Sequence, residues 1–181
     1  MSSSENAPGE VERQALQAFR SGRLADAAEG FQSARALFLE AGDRLRAAQS
    51  ANSLCVTLLQ AGRAAEALRA VEATPQIFRD AGDELHFAEA TGNWAAALEA
   101  VGRVDQAEAL YQQAAEQFQR LRAAEAEAQT RRAWAALLLR RGRPTEATAV
   151  MERALEVDPR AGWRGRWVRK LLGALSRRRG R

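Results

Sequence analysis

Histidine, cysteine and lysine each occur once in this chain, as His86, Cys55 and Lys170. A single cysteine excludes an intramolecular disulfide, and a single histidine leaves no His-based metal cluster. No stretch approaches the roughly eighteen consecutive apolar residues of a membrane-spanning helix. The opening segment, MSSSENAPGE, lacks a positive charge followed by an apolar run, so no secretory signal is read there and a cytoplasmic location is expected. Proline is scarce, and aromatics make up 6% of the chain. No glycine-rich phosphate loop is present, so neither a cofactor nor a metal is expected.

What is abundant is alanine, followed by Leu, Glu, Gln and Arg, the strongest helix formers, which points to an all-α chain. The formal net charge of +4 is unevenly placed. Residues 161–181 carry +8 with no acid, and the remainder carries −4. The high isoelectric point therefore belongs to the tail. Every basic residue but Lys170 is arginine, which is in keeping with a GC-rich bacterial genome.

The sequence repeats itself every forty residues. Gly22-Arg23, Gly62-Arg63, Gly102-Arg103 and Gly142-Arg143 are in strict register, and other columns move with them. Seven residues before the glycine stand Ala15, Cys55, Ala95 and Ala135; eight before it, Gln14, Leu54, Trp94 and Trp134; four before it, Ala18, Leu58, Leu98 and Leu138. Five residues after it stand Ala27, Ala67, Ala107 and Ala147; nine after it, Phe31, Val71, Tyr111 and Met151. Twelve after it come Ala34, Thr74, Ala114 and Ala154; sixteen after it, Phe38, Phe78, Phe118 and then Asp158. Each set falls on one face of a helix, so the glycine is the turn between two helices. Small residues mark close crossings and large ones fill the spaces between.

Gly42-Asp43 and Gly82-Asp83 mark a second turn, with aspartates suited to cap the helix that follows. Leu121-Arg122-Ala123 replaces this turn in the third unit, which predicts a nearly continuous helix there. Helices are expected near residues 9–21, 24–40, 44–61, 64–80, 84–101, 104–121, 124–141, 144–157 and 161–176. Pro144 suits a first helical position. Pro75 lies inside the 64–80 helix and predicts a kink.

These columns resemble the tetratricopeptide repeat, at Leu54-Cys55, Leu58 and Ala67; at Trp94-Ala95, Leu98, Ala107, Tyr111 and Ala114; and at Trp134-Ala135, Leu138, Ala147, Ala154 and Pro159. The period exceeds the usual thirty-four residues by six, as in kinesin light chain-like and bacterial regulator arrays. The early tryptophan of the family pattern is missing, with Val11, Ala51, Thr91 and Arg131 in its column. The resemblance implies an all-α, right-handed superhelical α-solenoid of four helix–turn–helix repeats plus a C-terminal capping helix. The expected divisions are a disordered N-terminus at 1–8, repeats at about 9–43, 44–83, 84–123 and 124–160, and a basic amphipathic helix with an Arg-rich tail at 161–181.

The resemblance further implies a non-enzymatic scaffold or adaptor that holds a peptide or helix of a partner protein in a concave groove lined by first helices. The candidate partner-binding residues are Gln49, Asn52, Val56, Leu59 and Gln60 in unit two. Unit three supplies Glu89, Asn93, Ala96 and Glu99; unit four supplies Gln129, Arg132, Ala136 and Arg140. Asparagine is a poor mid-helix residue, and its amide can both donate to and accept from a peptide backbone. Arg132 is placed to pair with a partner's carboxylate. The family's carboxylate clamp is only partly present, because lysine is absent from the body of the chain, so a chaperone C-terminus is not the expected ligand. Cys55 sits in the small-residue column and reads as packing; His86 reads as a surface residue.

The tail has two readings. Trp163, Trp167 and Leu171 keep helical spacing and suit a cap over the end of the array. Arg164, Arg166, Arg169, Lys170, Arg177, Arg178 and Arg179 also suit contact with an anionic membrane or nucleic acid. Self-assembly through exposed array ends, giving a homo-oligomer, is the third alternative.

Overall fold

The computed structural model describes residues 7–160 and Gly162. Among them are nine helices and no strand: α1 (Ala7–Arg20), α2 (Leu24–Glu40), α3 (Arg44–Gln60), α4 (Ala64–Val71), α5 (Thr74–Asp80), α6 (Glu84–Ala100), α7 (Val104–Arg120), α8 (Ala124–Arg140) and α9 (Pro144–Val157). Each helix packs on its sequence neighbours, and the first helices of successive units also meet, α3 on α6 and α6 on α8. The architecture is an α-solenoid of helix–turn–helix units. The expected capping helix and the basic tail residues Arg164, Arg166, Arg169, Lys170, Arg177, Arg178 and Arg179 lie outside the described residues. The first helix starts at Ala7 rather than Gly9.

Each reversal ends in a left-handed residue. Gly22, Gly42, Gly62, Gly82, Gly102 and Gly142 have φ between 70° and 82°. The next residue's N–H returns to the carbonyl five residues back, as in Arg23 to Ala18 (2.9 Å), Asp43 to Phe38 (2.8 Å) and Arg103 to Leu98 (2.9 Å). That bond satisfies a carbonyl the helix leaves unpaired at its end. Asp43 and Asp83 then cap α3 and α6, accepting from the N–H of Arg46 at 3.0 Å and of His86 at 3.1 Å. The arginines of the Gly-Arg pairs do not cap. Their guanidinium groups reach one turn forward instead, Arg23 to Asp26 at 2.8 Å, Arg63 to Glu66 at 2.7 Å and Arg103 to Gln106 at 2.5 Å. Such exposed contacts add little to stability, because water screens them.

The seams are built of the columns that repeat. Ala27, Ala67 and Ala107 are completely buried, and so are Cys55, Ala95 and Ala135. Gly30 allows the closest approach: a Cβ there would stand 2.7 Å from the Ala15 Cβ, so α1 and α2 touch almost backbone to backbone. Phe38, Phe78 and Phe118 are buried between units. Arg131, in the column of the absent tryptophan, is tied to the buried Glu127 at 2.9 Å and to Gln119 at 3.0 Å.

Pro75 breaks the second helix of unit two into α4 and α5. Proline has no N–H to offer the Val71 carbonyl, and its ring crowds that oxygen. The Thr74 hydroxyl takes over, 2.9 Å from the Val71 oxygen.

The expected continuous helix at 121–123 is corrected. α7 stops at Arg120, and α8 starts at Ala124. Arg122 adopts φ 55°, in the position glycine holds elsewhere, and Ala123 N–H returns to Phe118 at 2.9 Å. Phe118 and Ala128, buried on either side, must both reach their seams, and that packing outweighs the cost of a left-handed Cβ, roughly 1–2 kcal/mol. Arg122→Gly is therefore expected to stabilise the protein by about 1 kcal/mol. Urea unfolding with an unchanged m-value checks this.

Candidate functional site

Three recesses follow the first helices α3, α6 and α8. One, of about 330 Å³, is lined by Gln49, Asn52, Ser53, Val56, His86, Glu89 and Asn93. The second, of about 340 Å³, shares Glu89 and Asn93 with it and adds Ala96, Tyr111 and Gln129. The third, of about 580 Å³, shares Ala96 and Tyr111 with the second and adds Leu59, Glu99, Val104, Leu137 and Arg140. The shared residues make them one trough, amide-rich at the α3 side and more apolar where Leu59, Ala96, Tyr111 and Leu137 meet.

Regular turn spacing brings these side chains together, because it holds the first helices in register. Gln49, Asn52, Val56, Glu89, Asn93, Glu99, Gln129 and Arg140 all line the trough. Gln60 is exposed at the end of α3 and, like Arg132 and Ala136, lines none of the three recesses. Several of the candidates are already engaged within the chain. Arg132 donates to Asp158 at 2.6 Å, so the carboxylate it holds is internal. Asp158 occupies the column of Phe38, Phe78 and Phe118, and this ion pair replaces the aromatic plug. Arg132 and the Arg160 backbone N–H hold the Asp158 carboxyl below its usual range. Glu99 accepts from the Tyr111 hydroxyl at 2.8 Å and pairs with Arg140.

Asn52 is buried, with its side-chain oxygen 3.0 Å from the Thr74 hydroxyl. A hydroxyl carries one proton, so it can serve both Val71 and Asn52 only if the Asn52 amide is turned to donate. Either way half of the amide is committed to the helix break. Asn93 is different, since its side chain makes no hydrogen bond among the described residues and opens into two recesses.

His86 is not the plain surface residue expected. Its Nδ1 lies 2.6 Å from Asp83 Oδ2 and its Nε2 lies 3.5 Å from Gln49 Nε2. The ring stacks on Phe78, with centroids 5.3 Å apart. The sequence signal was the three-residue step from a capping aspartate, which sets the imidazole beside that aspartate. Tyr111, a packing residue by its column, also walls two recesses. Burial pushes its phenol up to about 12. Cys55 is a packing residue, as expected: it is fully buried, and burial pushes its thiol up to about 12, far from a reactive thiolate.

The family model of the tetratricopeptide repeat matches residues 86–160. Over those residues the chain is similar to the tetratricopeptide repeat. The strict forty-residue register carries the same helix–turn–helix unit back through α3 and α1. Several solved structures share the fold. BtubC (BKLC) from P. vanneervenii superposes with a TM-score of 0.76 at 21% identity, covering 87% of this chain and 65% of its own length. This chain thus spans just under two thirds of BtubC. The nearly identical TPR-like repeats from Podosopora anserina, described as kinesin light chain, give 0.69 at 18% identity over 85% of this chain and 75% of that one. A Q17M form of those repeats gives 0.73 at 15% identity, covering 97% and 92%. No curated protein sequence matches the chain. Among the described residues, no helix of these repeats is long and apolar enough to cross a membrane.

Two outcomes separate internal from free groups. Asn52→Ala is expected to cost about 1–2 kcal/mol by stripping a buried partner from Thr74, whereas Asn93→Ala is expected to change stability by less than about 0.5 kcal/mol. Chemical denaturation of both variants checks this. The second concerns Asp158. A carboxyl whose folded pKa lies below its unfolded value stabilises the fold above the unfolded value. That contribution is lost as pH falls through the folded one. The stability gap between wild type and Asp158→Asn is therefore expected to be full at pH 7 and to shrink below about pH 4. Thermal unfolding across that range reads it.

Proposed function

We propose that this protein is a non-enzymatic scaffold that binds an extended segment of a partner protein in the trough along α3, α6 and α8. The observation that carries this reading is the continuity of the three recesses through Glu89, Asn93, Ala96 and Tyr111. A peptide backbone needs donors and acceptors at intervals, and the amides of Gln49, Asn93 and Gln129 supply both on rigid helices. The more apolar end offers a pocket for a large side chain, which gives such a contact its anchor.

Charge sharpens the expected ligand. Glu99 and Arg140 neutralise each other, and Arg132 is spent on Asp158. Glu89 is exposed and has no ion-pair partner among the described residues. From Glu89 to Ala96 is seven residues of helix, about 10 Å, or roughly three residues of extended chain. The segment favoured has a basic residue about three positions from a bulky apolar one.

A displayed library of random peptides, selected on the full chain, tests this. Enriched sequences are expected to carry that spacing. They are expected to lose about tenfold in affinity to Asn93→Ala combined with Gln129→Ala, with the helical circular dichroism unchanged. Peptides that bind the double variant as tightly as wild type would place the binding surface elsewhere and end this reading.

A further inference from the structure

A fourth recess, of about 480 Å³, lies between the second helices α2 and α4 and shares no residue with the trough. Its floor is Ala28, Leu54, Leu58 and Ala70. One repeat further on, the positions of Ala28, Leu54 and Ala70 are Leu68, Trp94 and Leu110. These three pack into one cluster with Leu98, the counterpart of Leu58. Another repeat on, they are Glu108, Trp134 and Val150, with Trp134 and Val150 packed on Leu138. The space an indole fills inside units three and four is therefore open beside unit two. Two alanines and a leucine stand there in place of larger side chains.

The rim is charged. Arg63 is engaged with Glu66 through two hydrogen bonds of 2.7 Å. Arg35 and Arg69 line the same recess and have neither an ion pair nor a side-chain hydrogen bond among the described residues. Glu29 is the remaining acid on the rim, so the balance is positive. A guanidinium pair above an apolar floor recognises a carboxylate attached to a flat apolar body, and the volume lies within the range of small-molecule sites.

We propose that this recess is a binding site for an aromatic carboxylate of indole size. The ring occupies the place that Trp94 and Trp134 take in the later units, against Leu54 and Leu58, and the carboxylate bridges Arg35 and Arg69.

Indole-3-acetate, titrated into the full chain and followed by methyl and guanidinium NMR shifts, is the test. Saturable shifts are expected at Leu54, Leu58, Arg35 and Arg69, and not at Asn93 or Gln129. Leu54→Trp closes the recess from within, so it is expected to abolish binding and raise the melting temperature. Arg35→Gln with Arg69→Gln leaves the floor intact and is expected to weaken binding about tenfold. Neutral indole is expected to bind more weakly and to be indifferent to the arginine change. No saturable shift in wild type, or binding retained by folded Leu54→Trp, overturns the site. Should Leu54→Trp fail to fold, the arginine variant decides, and an affinity equal to wild type overturns the proposal.

Discussion

The array depends on a reversal of chain direction about every twenty residues, made by a left-handed residue whose successor bonds back to the carbonyl five positions earlier. This closes each helix at a set length. Equal helix lengths then bring the alanine columns opposite one another, and alanines with no exposed surface let the helices approach closely enough for the phenylalanines to seal the seams. Arg122 shows how strong the constraint is. The backbone takes the left-handed form even where the side chain opposes it, because the helices on both sides are already placed by Phe118 and Ala128.

The trough is a consequence of the same geometry. First helices held in register present every fourth residue toward a common channel, and the chemistry there is graded from amides to an apolar end. What departs from the repeat is as informative as what obeys it. Asp158 in place of a phenylalanine draws Arg132 into the scaffold. Pro75 creates an unpaired carbonyl, and Thr74 and Asn52 gather around the break. Leu54, flanked by two alanines, leaves open a volume that tryptophan fills in the next two units.

Much of the fold was legible in the sequence, since helix-forming composition, glycine turns and buried columns all repeat in one chain and so check one another. Capping by Asp43 and Asp83, a disturbance of the helix at Pro75 and the packing role of Cys55 follow from local rules, although the expected kink is a full break. The candidate site was legible in position and less so in role. Asn93 and Asn52 look alike as mid-helix asparagines, yet one faces open space and the other serves a residue twenty-two positions away. Arg132 looks like a free cation until its partner, twenty-six positions on and standing in the aromatic column where a phenylalanine is expected, is seen beside it. His86 carried only the hint of a capping aspartate three residues before it.

Sequence alone determined the helical periodicity, the turns marked by glycine and the identity of the seam-forming columns, because these rest on contacts within one helix or on a pattern repeated four times; the turn at Arg122, which lacks the glycine, did not show. Tertiary structure alone decided which polar groups are spent on the scaffold and which remain available, and where space is left unfilled. Those outcomes depend on side chains from different helices meeting at distances of a few ångströms, and on the difference between a leucine and a tryptophan at a single crossing. The first has no signature along the chain; the second shows there as a change of residue in one column, but not as open space.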